Sequence, residues 1–289
     1  MEVATLASSR LLGQRLKNFF ASFLLILGAY LFYRLFPEFQ VYGSNELKLF
    51  SFHIVTRDAL QLFFSAYTIM LLLYYFIEKE PRVSKSIYCL IALKRLLLSP
   101  VRTYRQGLSK DERLGALTTL LKAFFAPLMV ASLLAFCVQM INNGAYILNN
   151  LELLRTDFMG IFNSHGFWFI FQLTVFLDVF FFTIGYLVEM PVLKNQIRSV
   201  DPTLVGWIVA LACYPPFNAL TSKILGWEVS DFPQFDDPTT HLSVNLLVLL
   251  LMVIYTSSSV ALNFKASNLT HRGIIAWGPY RFVRHPAYT

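Results

Sequence analysis

Long apolar stretches alternate along the whole chain with shorter polar and basic stretches. Most of the apolar stretches approach or exceed the roughly 20 residues that a helix needs to cross a bilayer. The pattern predicts an all-α fold, a polytopic membrane helical bundle of about six transmembrane helices in one domain covering residues 1–289. The predicted spans are residues 18–36, 58–77, 123–141, 167–187, 203–225 and 242–262.

Capping and helix-breaking residues indicate where these helices begin and end. Ser109 and Glu112 have the spacing of a capping box, which predicts the start of a helix that rises into the third span. The polar residues 142–144 interrupt the apolar run after that span. Asp201-Pro202 predicts another helix start, with Asp201 as an acidic N-cap and Pro202 in the first turn. Pro215-Pro216 interrupts the fifth span, and such a break either borders a cavity or kinks the helix for packing.

Composition and charge exclude an ordinary soluble domain. Hydrophobic residues make up 56% of the chain, the mean hydropathy is +0.56 and only 14% of residues are charged, whereas soluble domains are about one quarter charged. The net charge of +7 does not indicate nucleic-acid binding, because the basic residues lie between apolar spans and form no soluble basic face. We therefore expect the lipid bilayer to be the surrounding partner.

The distribution of lysine and arginine predicts the orientation. With six crossings, the basic segments at the N-terminus and at residues 78–122, 189–202 and 263–289 all lie on one side, which the positive-inside rule makes cytoplasmic. The acidic loop with Glu228, Asp231, Asp236 and Asp237 lies on the other side. We expect a multi-pass protein with both termini in the cytoplasm, in the inner (plasma) membrane if the organism is a bacterium.

Two segments have more than one interpretation. Residues 87–98 mix leucine and isoleucine with lysine and arginine, as in an interfacial amphipathic helix or in a plain cytoplasmic loop. Asp178 lies near the middle of the fourth span, where a bare carboxylate is costly. It is a candidate intramembrane polar site, either structural, with Gln172 and Thr174 as hydrogen-bonding neighbours, or part of a functional path.

The most distinctive stretch is GPYRFVRHPAYT at residues 278–289. Pro279 and Pro286 prevent continuation of the preceding helix and predict a defined loop. Arg284 and His285 offer donors to a carboxylate or a ribose. Ring faces for an adenine or a sulfonium are offered by Tyr280, Phe282 and Tyr288. The alternative is that basic residues after an apolar span only reflect membrane topology.

Together with the lead-in at residues 268–275, this stretch resembles the cofactor-binding signature of the isoprenylcysteine carboxyl methyltransferase-like (phospholipid/isoprenylcysteine methyltransferase) family. Members are integral membrane enzymes that use S-adenosylmethionine. The resemblance implies that residues 263–289 begin a cytoplasmic cofactor-binding segment, and that a lipophilic acceptor, lipid-like or prenylated, approaches from the bilayer. The implied cofactor-binding residues are Gly278, Pro279, Tyr280, Arg284, His285, Pro286 and Tyr288.

The resemblance implies neither a metal nor a nucleic-acid partner, and it assigns no catalytic residue. In the family, an arginine and a glutamate beyond the signature complete the pocket, so we expect this sequence to be C-terminally incomplete. A membrane sterol or steroid reductase using NADPH is an alternative. The signature of those enzymes resembles Arg-His-Pro-Asn-Tyr, whereas this chain has Ala287 in place of the asparagine. A non-enzymatic transporter or scaffold, working through Asp178 and the break at Pro215-Pro216, is a second alternative.

Overall fold

The structure is a computed structural model that describes residues 2–36, 46–78, 81–225, 232 and 234–288. Glu228, Asp231 and Thr289 lie outside the described residues, as does the side chain of Tyr288. Within the described part, five helices are long and apolar enough to cross a membrane, and they confirm the helical membrane bundle. These helices cover Ser9–Leu35, Thr56–Ile77, Lys110–Asn149, Phe158–Leu187 and Pro238–Lys265.

The elements follow one another in a simple order. The first half contains α1 (Glu2–Leu35), β1 (Glu46–Leu49), β2 (Phe52–Val55), α2 (Thr56–Ile77), α3 (Lys85–Leu98), α4 (Pro100–Gln106) and α5 (Lys110–Asn149). The second half contains α6 (Leu151–Thr156), α7 (Phe158–Ile161), α8 (Phe167–Leu187), β3 (Ser199–Val200), α9 (Leu204–Ala212), α10 (Asn218–Leu225), α11 (Pro238–Leu262) and β4 (Thr270–His271). A π-helical turn at residues 162–166 joins α7 to α8.

Helix α5 begins as predicted and ends later than predicted. The Ser109 hydroxyl accepts from the Glu112 backbone N–H at 3.2 Å, and the Glu112 carboxylate accepts from the Ser109 backbone N–H at 2.8 Å, which confirms the capping box. The predicted break at residues 142–144 is wrong, because α5 continues to Asn149. The Asn143 amide bonds to the Gln139 carbonyl, one turn back in the same helix, and to Gln172 of α8, so it does not compete with the helical backbone.

The fifth predicted span consists of two short helices. Helix α9 ends at Ala212, before the Pro215-Pro216 pair, and α10 starts at Asn218. The prediction that Asp201 caps this segment is wrong. Thr203 is the N-cap and accepts from the Gly206 backbone N–H at 3.1 Å, while Asp201 accepts from the backbone and hydroxyl of Thr203.

Helices α5 and α8 run antiparallel and form the core. Asn143, late in α5, bonds to Gln172 in the first half of α8, whereas the Phe125 ring stacks on that of Tyr186, with centroids 5.0 Å apart, near the other end. The buried apolar cluster around this pair comprises Leu121, Phe124, Phe125, Leu128, Met129, Ala131, Val179, Tyr186, Ile197, Val200 and Trp207.

Helices α8 and α11 run parallel. The Asn163 amide, in the turn before α8, donates to the Pro238 carbonyl at the start of α11 at 3.3 Å. At the opposite end, Gly185 of α8 lies against the Ala266 carbonyl that follows α11. Because the pair is parallel, the chain must return from one end of the bundle to the other between α8 and α11.

A short antiparallel ladder fixes the segment that follows α11. Strand β3, after α8, pairs with β4, after α11, so that Ser199 faces His271 and Val200 faces Thr270. The ladder brings residues 189–200 and residues 263–275 together at one end of the bundle. The candidate site is built from these two segments. The strands themselves were not part of the all-α prediction.

Candidate functional site

The C-terminal stretch folds back on α11 in two short 3-10 turns, Gly278–Arg281 and Pro286–Tyr288. This confirms the predicted loop. Gly278 has a φ of +60°, a left-handed conformation that favours glycine. Its Cα lies close to Ala261 of α11, where a Cβ would approach the Ala261 methyl group to 3.1 Å. Pro286 is buried, and Pro279 and Tyr280 are half-buried.

A cleft of about 200 Å³ lies between the end of α11, the segment after it and Tyr280. Its lining residues are Leu262, Lys265, Ser267, Thr270, His271, Arg272, Gly273, Ile275 and Tyr280. Tyr280 is therefore the part of the predicted cofactor motif that borders the cleft. Arg284 and His285 are exposed on the following turn and are not among the cleft-lining residues.

Arg272 is the buried cation of this cleft, with 3% of its surface exposed. Its Nε donates to the Ser267 hydroxyl at 2.9 Å and to the Thr270 hydroxyl at 3.4 Å. Its Nη1 donates to the Asn195 carbonyl at 2.7 Å. Its Nη2 is buried and has no hydrogen-bond partner within the described part of the chain.

Glu189 lies just behind this cleft, at the end of α8, and is shared by two lysines. The Lys85 ammonium donates to both of its carboxylate oxygens, at 2.8 and 3.0 Å, and Lys122 lies 3.8 Å from Oε2. The Ile197 backbone N–H donates to Oε1 at 3.1 Å. Asn195, which holds the guanidinium of Arg272, belongs to the same loop as Glu189, so the two charged groups are joined by one short segment.

Burial and charge act on these groups in opposite directions. Burial would raise the pKa of Glu189, but the nearby ammonium groups of Lys122 and Lys85 and the hydrogen bonds to the carboxylate outweigh it and lower the pKa to about 2. Burial lowers the pKa of Arg272, and the Glu189 carboxylate opposes that effect. An arginine stays charged in proteins in any case, so Arg272 is a buried cation that is only partly compensated.

A second and larger pocket, a cavity of about 1510 Å³, lies between the α1–α2 pair and the α5–α8 pair. Its walls are mostly apolar side chains of α1, α2 and α5, such as Leu25, Phe63 and Ala126. At the end near the cleft it contains Glu78, Arg82, Lys85, Lys122 and Glu189. Arg34 and Arg57, at the other end of the α1–α2 pair, also line the cavity. The Glu189 cluster therefore belongs to this cavity. The same loop, residues 189–197, also contacts the cleft, through the bond from Arg272 to the Asn195 carbonyl.

Asp178 is buried at the interface between α8 and α11. Its carboxylate accepts from the Tyr255 hydroxyl at 3.2 Å and from the Ser259 hydroxyl, both on α11. The partners considered from the sequence bond elsewhere: Gln172 pairs with residues of α5, and Thr174 donates to the Phe171 carbonyl. Asp178 thus connects two helices, and it lies in neither the cleft nor the cavity.

Sequence reasoning missed Arg272, Glu189 and Lys122 as site residues. One signal was present: Glu189 is a carboxylate at the end of a span, close to Lys194 and Arg198 in the same segment. In the comparisons with known proteins, no family model, no curated protein and no solved structure matches this chain.

Proposed function

We propose that this protein is an integral membrane methyltransferase that uses S-adenosylmethionine and acts on a lipid-like or prenylated acceptor. One observation carries the proposal. A cationic cleft beside Tyr280 and a large apolar cavity reach the same end of the bundle. The loop at residues 189–197 contacts both, because Glu189 lines the cavity and the Asn195 carbonyl accepts from Arg272 of the cleft. This arrangement suits a group transfer between a polar donor and an apolar acceptor.

The residues of the cleft fit the cofactor. Lys265 and Arg272 supply positive charge, Ser267 and Thr270 supply hydroxyls, and Tyr280 supplies an aromatic ring. These are the groups that a carboxylate, a ribose and a sulfonium need. The cofactor, when bound, supplies an electrophilic methyl group, so the protein contributes mainly positioning and exclusion of water.

The large cavity supports an acceptor with an apolar chain. Ligand sites in proteins usually have volumes of about 300–1000 Å³, and the cavity of about 1510 Å³ exceeds that range. Its walls belong to helices that meet lipid, so an acceptor can enter sideways from the bilayer. Its charged end, at Lys85 and Lys122, would hold the polar head of the acceptor close to the cleft.

We also propose six crossings with both termini in the cytoplasm. The Tyr214 hydroxyl accepts from Asn268, which bonds to Tyr186 at the cytoplasmic end of α8. The Phe232 ring lies 4.7 Å, between centroids, from that of Trp168 at the other end of α8. A 21-residue helix is about 30 Å long. Tyr214 and Phe232 therefore lie near opposite ends of α8, separated by about the thickness of the hydrocarbon core, as a sixth crossing between them requires.

Calorimetry on the detergent-purified, full-length protein tests the proposed function, with S-adenosylmethionine and NADPH titrated in parallel. We expect the protein to bind S-adenosylmethionine and to transfer its methyl group to a lipid extract. Binding of NADPH alone would instead support the reductase alternative. Binding of neither would contradict a cofactor-dependent enzyme and favour the transporter or scaffold.

Two aromatic variants locate the binding event. Tyr280→Ala removes the ring that borders the cleft, and we expect the affinity for S-adenosylmethionine to fall about tenfold, the effect of losing a cation–π contact of about 1.4 kcal/mol. Phe282→Ala is the matched control, because that ring is 84% exposed on the same segment. Equal effects of both variants would place the cofactor outside the cleft.

A further inference from the structure

One end of the Arg272 guanidinium is held by hydrogen bonds within the protein, and the other end has no partner among the residues that the structure describes. Its Nε and Nη1 donate to Ser267, Thr270 and Asn195, which fix the plane of the group. Its Nη2 carries two further N–H donors, and these meet no acceptor within the described residues although the atom is buried. Leaving a charged donor buried and unpaired costs several kcal/mol, so Nη2 is suited to bind an acceptor that the described residues do not supply.

The charges around Arg272 also leave room for an anion. Glu189 is the carboxylate that opposes the burial effect on Arg272, but it is already paired with Lys85 and lies near Lys122. Three cations therefore share one carboxylate. The residues that line the cleft include Lys265 and Arg272 and contain neither aspartate nor glutamate.

We propose that Nη2 of Arg272 binds the carboxylate of S-adenosylmethionine in this cleft, with Lys265 as a second cation. The inference rests on the proposed function and assigns the anion-binding role to a residue outside the family-like motif at residues 278–288. A guanidinium whose plane is already fixed loses little rotational freedom when it binds a carboxylate. A cleft of about 200 Å³ is below the usual 300–1000 Å³ of ligand sites, so it suits one end of the cofactor.

The test compares two ligands on two proteins. S-adenosylmethionine and its decarboxylated form differ only in the carboxylate. On the wild-type, full-length protein, we expect S-adenosylmethionine to bind about 10- to 100-fold more tightly, the usual effect of one charge-assisted hydrogen bond. On Arg272→Gln, we expect the two ligands to bind with the same, weaker affinity. Arg281→Gln removes an exposed cation from the same segment and should keep the wild-type preference.

Wild-type measurements keep the test valid if Arg272→Gln fails to fold. Sodium acetate should compete with S-adenosylmethionine and leave binding of the decarboxylated ligand unchanged, with sodium chloride as the control for ionic strength. Equal affinity of the wild type for both ligands would overturn the Arg272 assignment and leave the proposed function standing. A loss in Arg272→Gln that is equal for both ligands would also overturn it. Failure of the wild type to bind S-adenosylmethionine would overturn both proposals.

Discussion

At the scale of single residues, the Glu189 carboxylate is a largely buried acidic group that two lysines share. Its side chain is 15% exposed and is paired with Lys85 and, more distantly, with Lys122. Removal of one partner from a buried ion pair typically costs 3–5 kcal/mol, because the remaining charge is left uncompensated. We expect Glu189→Gln to lower the free energy of unfolding by roughly this amount at pH 7.

The pH dependence provides the measurement. The pKa of Glu189 falls from 4.5 to about 2 on folding, so its contribution to stability is complete above about pH 4.5 and is lost as the pH falls toward 2. Thermal unfolding in detergent from pH 7 to pH 3 should show this loss in the wild type and a flatter profile in Glu189→Gln. Glu152→Gln, at an exposed position, is the control, and a profile like that of Glu189→Gln in this variant would contradict the assignment.

The sequence predicted residues whose partners are close in the chain and missed those whose partners are distant. The Ser109–Glu112 capping box spans three residues and was predicted correctly. The partners of Asp178 lie 77 and 81 residues away, on α11, and no local pattern indicates them. Arg272 was visible only as part of the lead-in to a motif, because its burial depends on the pairing of β3 with β4.

At the scale of elements, the close contact between α8 and the turn after α11 holds the cleft in place. Gly185 allows this contact, because a Cβ at this position would collide with the Ala266 carbonyl. We expect Gly185→Ala to destabilise the protein by roughly 1–3 kcal/mol, as other overpacked substitutions do. Gly28→Ala in α1 is the matched control, since a Cβ there meets nothing within 4 Å. That change should be neutral or stabilising by up to about 1 kcal/mol.

Thermal unfolding of both variants in detergent checks this prediction. If Gly185→Ala is as stable as Gly28→Ala, the contact with α8 is not required to hold the segment after α11 in its position.

Hydrophobic length predicted α8 at its observed bounds, residues 167–187, but could not predict that α5 continues to Asn149. The polar residues near the end of α5 are accommodated by bonds to α8, and such tertiary bonds are not apparent from local composition.

At the scale of the whole molecule, the parallel arrangement of α8 and α11 predicts six crossings, and an experiment can distinguish six crossings from five. In a variant without the native cysteines, single cysteines at Gln106, Asp236 and Ile274 report the side of each loop. An impermeant reagent added to intact cells should label Asp236→Cys alone if the chain crosses six times. Equal protection of Asp236→Cys and Gln106→Cys would mean that the chain does not cross the bilayer between Tyr214 and Phe232.

The parallel pair also has a consequence for the order of synthesis. Asp178 is made 77 residues before Tyr255, which corresponds to about 4–15 s at the usual 5–20 residues per second. During that interval, α8 contains a carboxylate without either of its α11 partners. An aspartate at the centre of a helix opposes insertion by about 2.5–3.5 kcal/mol, and each phenylalanine favours insertion by about 0.3–0.6 kcal/mol. The seven phenylalanines of α8 therefore offset the carboxylate until α11 arrives.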